Sequence, residues 1–346
     1  MPSDSHKRSR LKGALGRLFR LEDPELQAAV DEIEEHHLEV EKSLADMADI
    51  KSLPMGEFNP ESHLSPAVPR LRTLLVALSA KAAGGSASDS KDVAQVAEFL
   101  HLAVLIHDTA IGRHTGRRRR VARRLLGGAA HWLGGNHLTL RALELARSLP
   151  APEVLGEVVE TMRELSEGQV LSEELRDRDG TYDDYIEYAE SHAGALYSFC
   201  SRSGGHIGRG DRASVGALGR YGRHLGVAWH AVDDLWLFEQ ETIEFAKHVG
   251  RRMAMGRPML PIVLALPKRP EIDAIIDRVC DGDESACDEL KLAVRSTGAL
   301  NVTRTLVVER SMAAKRSLRG LPDSSYRVLM DQIAGGIMGG AHSDTV

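Results

Sequence analysis

"YGRHLGVAWHAVDDLWLFEQE", Tyr221 to Glu241, sets two carboxylates side by side in a long apolar run with helical spacing. Burying Asp233 and Asp234 there is costly unless they are paired or hold a metal. On a helix, His230 and Leu237 share the face of Asp233, while Asp234 lies about 100° round, so one face offers a single strong oxygen ligand. Spacing alone leaves two readings open: the pair holds a cation, or it caps a helix or salt-bridges to nearby arginines. Upstream stands "LIHDTAIGRHTGRRRR", Leu105 to Arg120, where Asp108 sits on another apolar helical run and Arg117, Arg118, Arg119 and Arg120 follow. That layout suits a diphosphate, because carboxylates grip a cation, the cation grips phosphate oxygens and guanidinium forks take the remainder. One aspartate alone is a poor Mg2+ site, and Arg119 and Arg120 also read as a solvated helix start.

Around these stretches the period is helical almost everywhere. Helices are predicted over 24–50, 66–83, 91–112, 117–146, 151–168, 182–202, 212–245, 259–267, 272–279, 284–297, 300–318 and 323–338, and β-type alternation is essentially missing. Helix-stop chemistry is read at "AGGSASDS" (83–90), "LGG" (133–135), "RDRDG" (176–180) and "SGG" (203–205). The fold class is all-α, one bundle with its site between facing helices. Residues 1–21 form a separate segment, where Lys7, Arg8, Arg10, Lys12, Arg17 and Arg20 accompany Leu11, Leu15, Leu18 and Phe19 at helical spacing. It reads as a solubilising tail or as a basic amphipathic helix for a partner protein or a membrane surface. Residues 22–60 hold an acidic helix with a heptad-like seam of Leu26, Val30, Ile33, Val40, Leu44 and Met47, with His37 at the missing step, expected to pack on the bundle or a second subunit.

Composition narrows the class. The 346 residues are 42% hydrophobic and only 4% aromatic, with 32 glycines, as in a soluble globular protein. A net charge of −6 gives no basic excess for nucleic acid. Cys200, Cys280 and Cys287 lack CxxC spacing and read as free thiols in a reducing cytoplasm. No apolar run approaches the ~18 residues of a membrane span.

From about residue 60 to 340 the chain resembles the trans-isoprenyl diphosphate synthases, the polyprenyl synthetase family. "YGRHLGVAWHAVDDLW" looks like the family's second aspartate-rich segment and "LIHDTAIGRHTGRR" like its first. "PRLRTLL" resembles the upstream basic segment, "EGQVL" the mid-chain Gln motif, "GRRMAMGRPMLPIVLAL" the segment after the second motif and "LPDSSYRVLMDQI" the C-terminal helix. The resemblance implies an isoprenoid synthase-type helical bundle over 61–340, with two aspartate-bearing helices facing across a deep central cavity, and a homodimer. It also implies Mg2+ bridging Asp108, Asp233 and Asp234 to an allylic diphosphate. Arg70, Arg72, Arg117, Arg118, His192 and Arg257 would lie at substrate diphosphate, and His107, Gln169, Trp229 and His230 would line the cavity. In such enzymes, ionisation of the allylic diphosphate leaves a cation that isopentenyl diphosphate attacks.

The chain departs from that pattern at the chemistry. The family's first motif has aspartates at positions one, two and five, where this chain has Asp108, Thr109 and Gly112; the second motif has become Asp233, Asp234 and Leu237. Pro69 and His192 stand for lysines, His230 for a Gln, Arg252 for a carboxylate, Arg257 for a lysine and Met259 for a threonine. These changes count against ordinary elongation with isopentenyl diphosphate. Three functions are compatible with the sequence: a divergent prenyltransferase, a catalytically silent subunit tuning an active prenyl synthase, and a class I terpene synthase. For the last, Asp233 and Glu241 fit the ends of a metal motif that Leu237 interrupts.

Overall fold

The computed structural model describes residues 24–46, 71–111, 117–175, 180–240, 245–246, 248–249, 252 and 257–340, with the side chains of 41, 43–46, 88, 109–131 and 338–340 left out. Among the described residues every regular element is helical. The chain runs through α1 (Pro24–Asp46), α2 (Leu71–Ala82), α3 (Lys91–Ile111), α4 (Arg117–Ser148), α5 (Glu153–Leu175) and α6 (Tyr182–Ala189). A π-helical turn (Glu190–Gly194) leads into α7 (Ala195–Ile207) and α8 (Arg212–Leu237). After the segment that carries Arg252 and Arg257 come α9 (Leu260–Ala265), α10 (Ile272–Cys280), α11 (Glu284–Ser296), α12 (Ala299–Ser317) and α13 (Ser325–Gly340).

The starts of these helices follow from their first residues. Thr181 closes a capping box on α6: its Oγ1 accepts from Asp184 N at 3.2 Å, and its own N–H donates to Asp184 Oδ2 at 2.8 Å. Asp211 caps α8 by accepting from Ser214 N at 2.7 Å. α8 is central, packing against α7 on one side and α12 on the other, with Leu225, Ala228, Ala231, Val232 and Leu235 in the core.

Two expected breaks are absent. α4 runs through Gly134 and Gly135, and α7 runs through Gly204 and Gly205. These glycines are places of close approach: a Cβ on Gly204 would meet Val76 O at 2.4 Å, so α7 crosses α2 almost backbone to backbone. Elsewhere α5 extends to Leu175, beyond the expected end at 168, α8 stops at Leu237 rather than 245, and the single helix expected over 182–202 is interrupted by the π-turn.

α1 joins the same bundle, packing on α2, α3 and α13. Val30, Ile33, His37 and Val40 of the seam are buried. Glu32 accepts the Tyr326 hydroxyl at 2.6 Å and pairs with Lys81 at 3.0 Å, while His36 Nε2 lies 3.3 Å from Ser90 Oγ. The Leu44 side chain, Met47 and the basic segment 1–21 lie outside the described residues.

Candidate functional site

The three aspartates singled out above all sit in buried or half-buried ion pairs, and each pairs with an arginine from the segment before α9. Asp108, near the end of α3, is buried. Its Oδ1 accepts from Gln169 Nε2 at 3.0 Å, and its Oδ2 accepts from Arg257 Nη2. Burial alone would raise the Asp108 pKa, but the Arg257 charge outweighs it and holds the carboxyl well below the usual range. His192 Nε2 stands 3.8 Å from Asp108 Oδ2, beyond hydrogen-bond reach.

Asp234 is fully buried on α8, where its Oδ2 accepts the Tyr185 hydroxyl at 2.8 Å and Leu260 N at 2.9 Å, the first N–H of α9. Its Oδ1 accepts from Arg252 Nη1. Desolvation dominates here and raises the Asp234 pKa despite Arg252. Asp233, half exposed at 48%, accepts from the other arm of the same guanidinium, Arg252 Nη2. The pair on α8 is thus both a cap and a salt bridge, the second of the two readings its spacing left open.

This settles how the carboxylates suit the ion implied by the resemblance. Five of their six oxygens already accept a protein donor. Among the described residues no group of three or more His, Cys, Asp or Glu is arranged to hold a metal ion. As arranged, Asp108, Asp233 and Asp234 do not fit a divalent cation without first releasing Arg252 and Arg257.

Beside the ion pairs lies a ring cluster. His192, in the π-turn, stacks on Tyr188 with centroids 5.4 Å apart; His230 meets the edge of Tyr188 at 5.6 Å and faces Tyr185 at 5.7 Å and His192 at 6.3 Å. Burial first, and Arg252 second, push the His230 pKa well down, so the ring is neutral at physiological pH. Among the described residues, Nε2 of both histidines is buried without a hydrogen-bond partner, as is Arg257 Nε. The π-turn is held close to α8 by Gly226, where a Cβ would meet Ala193 O at 2.4 Å. Single π-turns inside helices concentrate at functional sites.

The remaining expected site residues divide. Gln169, His192, His230 and Arg257 come together around the aspartates. Arg72 is not part of this cluster: its Nε and Nη2 fork onto Glu98 at 3.1 and 3.0 Å, a pair that ties α2 to α3. His107 lies against α4, its ring 4.9 Å from Trp132 and so close to Gly135 that a Cβ there would overlap it at 2.2 Å. Trp229 is half-buried against the apolar core. Arg70, and the side chains of Arg117 and Arg118, lie outside the described residues. Tyr185 and Tyr188 escaped the sequence reading, and Arg252 was noted only as a departure; its signal was a basic "GRR" following two buried aspartates within one compact segment.

Residues 61–297 match the Polyprenyl synthetase family. The chain belongs to the polyprenyl synthetase family. Among its relatives in this prenyltransferase family, an octaprenyl diphosphate synthase from Haemophilus influenzae is 28% identical over 270 residues, covering 77% of this chain and 82% of that protein. A short chain isoprenyl diphosphate synthase from Methanothermobacter thermautotrophicus is 29% identical over 273 residues, 77% of this chain and 84% of that one. The fold is similar to the crystal structure of a decaprenyl diphosphate synthase from Rhodobacter capsulatus, with a TM-score of 0.68 and 26% identity over 89% of this chain and 100% of that one. It is equally similar, at TM-score 0.68 and 25% identity over 95% and 98% of the two chains, to a polyprenyl synthase from Caulobacter crescentus solved with calcium and isoprenyl diphosphate. The all-α isoprenoid synthase-type bundle expected from the sequence is therefore the fold of this chain.

Proposed function

We propose that this family member binds an allylic prenyl diphosphate where α3, the π-turn, α8 and the Arg252–Arg257 segment meet, and transfers its prenyl group by a route other than ordinary elongation with isopentenyl diphosphate. The observation that carries this reading is the convergence of Asp108, Asp233, Asp234, Arg252, Arg257, His192 and His230 from four parts of the chain onto one cluster. Charged groups on an apolar scaffold are costly to assemble without a use. Loss of ordinary elongation is supported by Pro69 in place of a lysine and by the carboxylates lost from both aspartate-rich segments. His192 and His230 offer the reacting centre imidazole rings where the family pattern has a lysine and a glutamine.

A second reading, the catalytically silent subunit, is favoured by one observation: the carboxylates are already neutralised inside the protein. The terpene synthase reading is weaker, because Leu237 is buried in the core at the middle position of its metal motif, and Glu241 lies outside the described residues. A homodimer is supported by exposed apolar side chains on α4, Leu133 and Leu140 among them. A cytoplasmic setting is supported by the three free cysteines. Among the described residues no helix is long and apolar enough to cross a membrane.

The test is incubation of purified protein with C10, C15 and C20 allylic diphosphates, each with isopentenyl diphosphate, with aromatic and amine acceptors, or with no acceptor, in Mg2+ and in EDTA, following pyrophosphate release and prenyl products. Release that requires an acceptor other than isopentenyl diphosphate is the expected result. Longer prenyl diphosphates would mean that elongation persists, hydrocarbons or alcohols would mean a terpene synthase, and no release in any medium would leave the silent subunit.

A further inference from the structure

We propose that Arg252 and Arg257 do the work of divalent metal in this site, so that the chain binds a diphosphate directly on guanidinium groups and needs no metal ion to do so. The inference deepens the diphosphate reading above and rests on it.

Charge is the first argument. Against the family pattern the chain lacks four carboxylates (at Thr109, Gly112, Leu237 and Arg252) and gains one guanidinium, Arg252, while Arg257 keeps the charge of the lysine it replaces. With the two lysines lost at Pro69 and His192 set against this, the site is three charge units more positive than the pattern, about what one or two divalent cations would bring. A cluster of that charge does not need added cations to accept an anion that the carboxylate-rich pattern alone would repel.

Geometry is the second. Arg252 lies across Asp233 and Asp234, and Arg257 lies on Asp108, so the two guanidiniums occupy the oxygens that would otherwise ligate an ion. Each guanidinium carries five N–H donors, and the hydrogen bonds to aspartate use only one or two of them. Arg257 Nε is buried with no partner among the described residues, and so are Nε2 of His192 and of His230 beside it. A buried unpartnered N–H such as Arg257 Nε is costly, and a diphosphate, with its many acceptor oxygens and strong charge-assisted bonds to arginine, is the chemistry that would satisfy it. The aspartates then act as positioning residues, holding the two forks in place as a carboxylate orients a ligand histidine at a metal.

Isothermal titration of the full chain with inorganic pyrophosphate, once in excess Mg2+ and once in EDTA, tests this. The inference expects dissociation constants that agree within about threefold in the two media. Binding at least about tenfold weaker in EDTA overturns it and leaves the diphosphate reading standing. Absence of binding in both media overturns both. Arg252→Gln, which frees Asp233 and Asp234, is expected to make pyrophosphate binding depend on Mg2+; unchanged metal independence in a folded Arg252→Gln protein would also overturn the inference. Arg257→Gln is expected to weaken binding in EDTA by about tenfold or more, with partial recovery in Arg257→Lys, because lysine keeps the charge and loses the fork. If either variant fails to fold by circular dichroism, the paired titrations of the unaltered protein decide alone.

Discussion

Asp234 and Asp233 are neighbours in sequence that face different physics. Asp234 is fully buried with three donors on it, from α6, α9 and Arg252, whereas Asp233 is half exposed and, among the described residues, pairs with Arg252. Removing one partner of a buried pair strands the other, so Asp234→Ala is expected to destabilise the fold by about 3–5 kcal/mol. Asp233→Ala is expected to cost about 1 kcal/mol or less, since water already screens that pair. Urea denaturation of the two variants checks this, and equal losses would contradict the assignment of the buried role to Asp234. The sequence showed that one of the pair must lie off the face of His230 and Leu237. It could not show which carboxylate is sealed from water, because that depends on Tyr185 and Leu260, remote in sequence.

At the scale of elements, two junctions make separate predictions. α8 meets the π-turn at Gly226, where any Cβ would have to push against the Ala193 carbonyl. Gly226→Ala is expected to cost about 3 kcal/mol through this overpacking, measured by thermal denaturation. It should also move His192 away from His230, which would show as a changed His230 imidazole signal by NMR. The second junction docks α1 onto the start of α3 through His36 and Ser90. Burial pushes the His36 pKa down from 6.5 to about 4. Between those values the unfolded chain binds a proton that the folded chain refuses, so stability falls as pH drops from about 6.5 to about 4, by at most about 3 kcal/mol. His230 and His107, also shifted down by burial, act in the same direction. Thermal midpoints at pH 7, 6 and 5 should therefore fall, and His36→Gln should make the fall shallower. The helical periods of these elements were legible, and so was the seam of α1, because a buried stripe recurs every three or four residues whatever it packs on. Gly134, Gly135, Gly204 and Gly205 mislead as stop signals, since a glycine that ends a helix and one that admits a neighbouring group look alike in one dimension.

For the whole molecule, the large apolar residues left exposed on α4, Leu133 at 69% and Leu140 at 58%, lie two turns apart on one side of that helix. Replacing both with aspartate is expected to convert a dimer to a monomer in size-exclusion chromatography with light scattering; an unaltered protein that already runs as a monomer would sink this prediction. By itself, the sequence determined the all-α class, while the type of bundle and the thinning of carboxylates around Asp108, Asp233 and Asp234 came from its resemblance to the family. The first follows from local periodicity, the others from motifs matched in order along the chain. Only the tertiary structure decided what neutralises those carboxylates, because Arg257 reaches Asp108 across 149 positions and Arg252 reaches Asp234 across 18. Which charges meet in a low-dielectric interior is set by how helices pack, and no pattern confined to one helix carries that information.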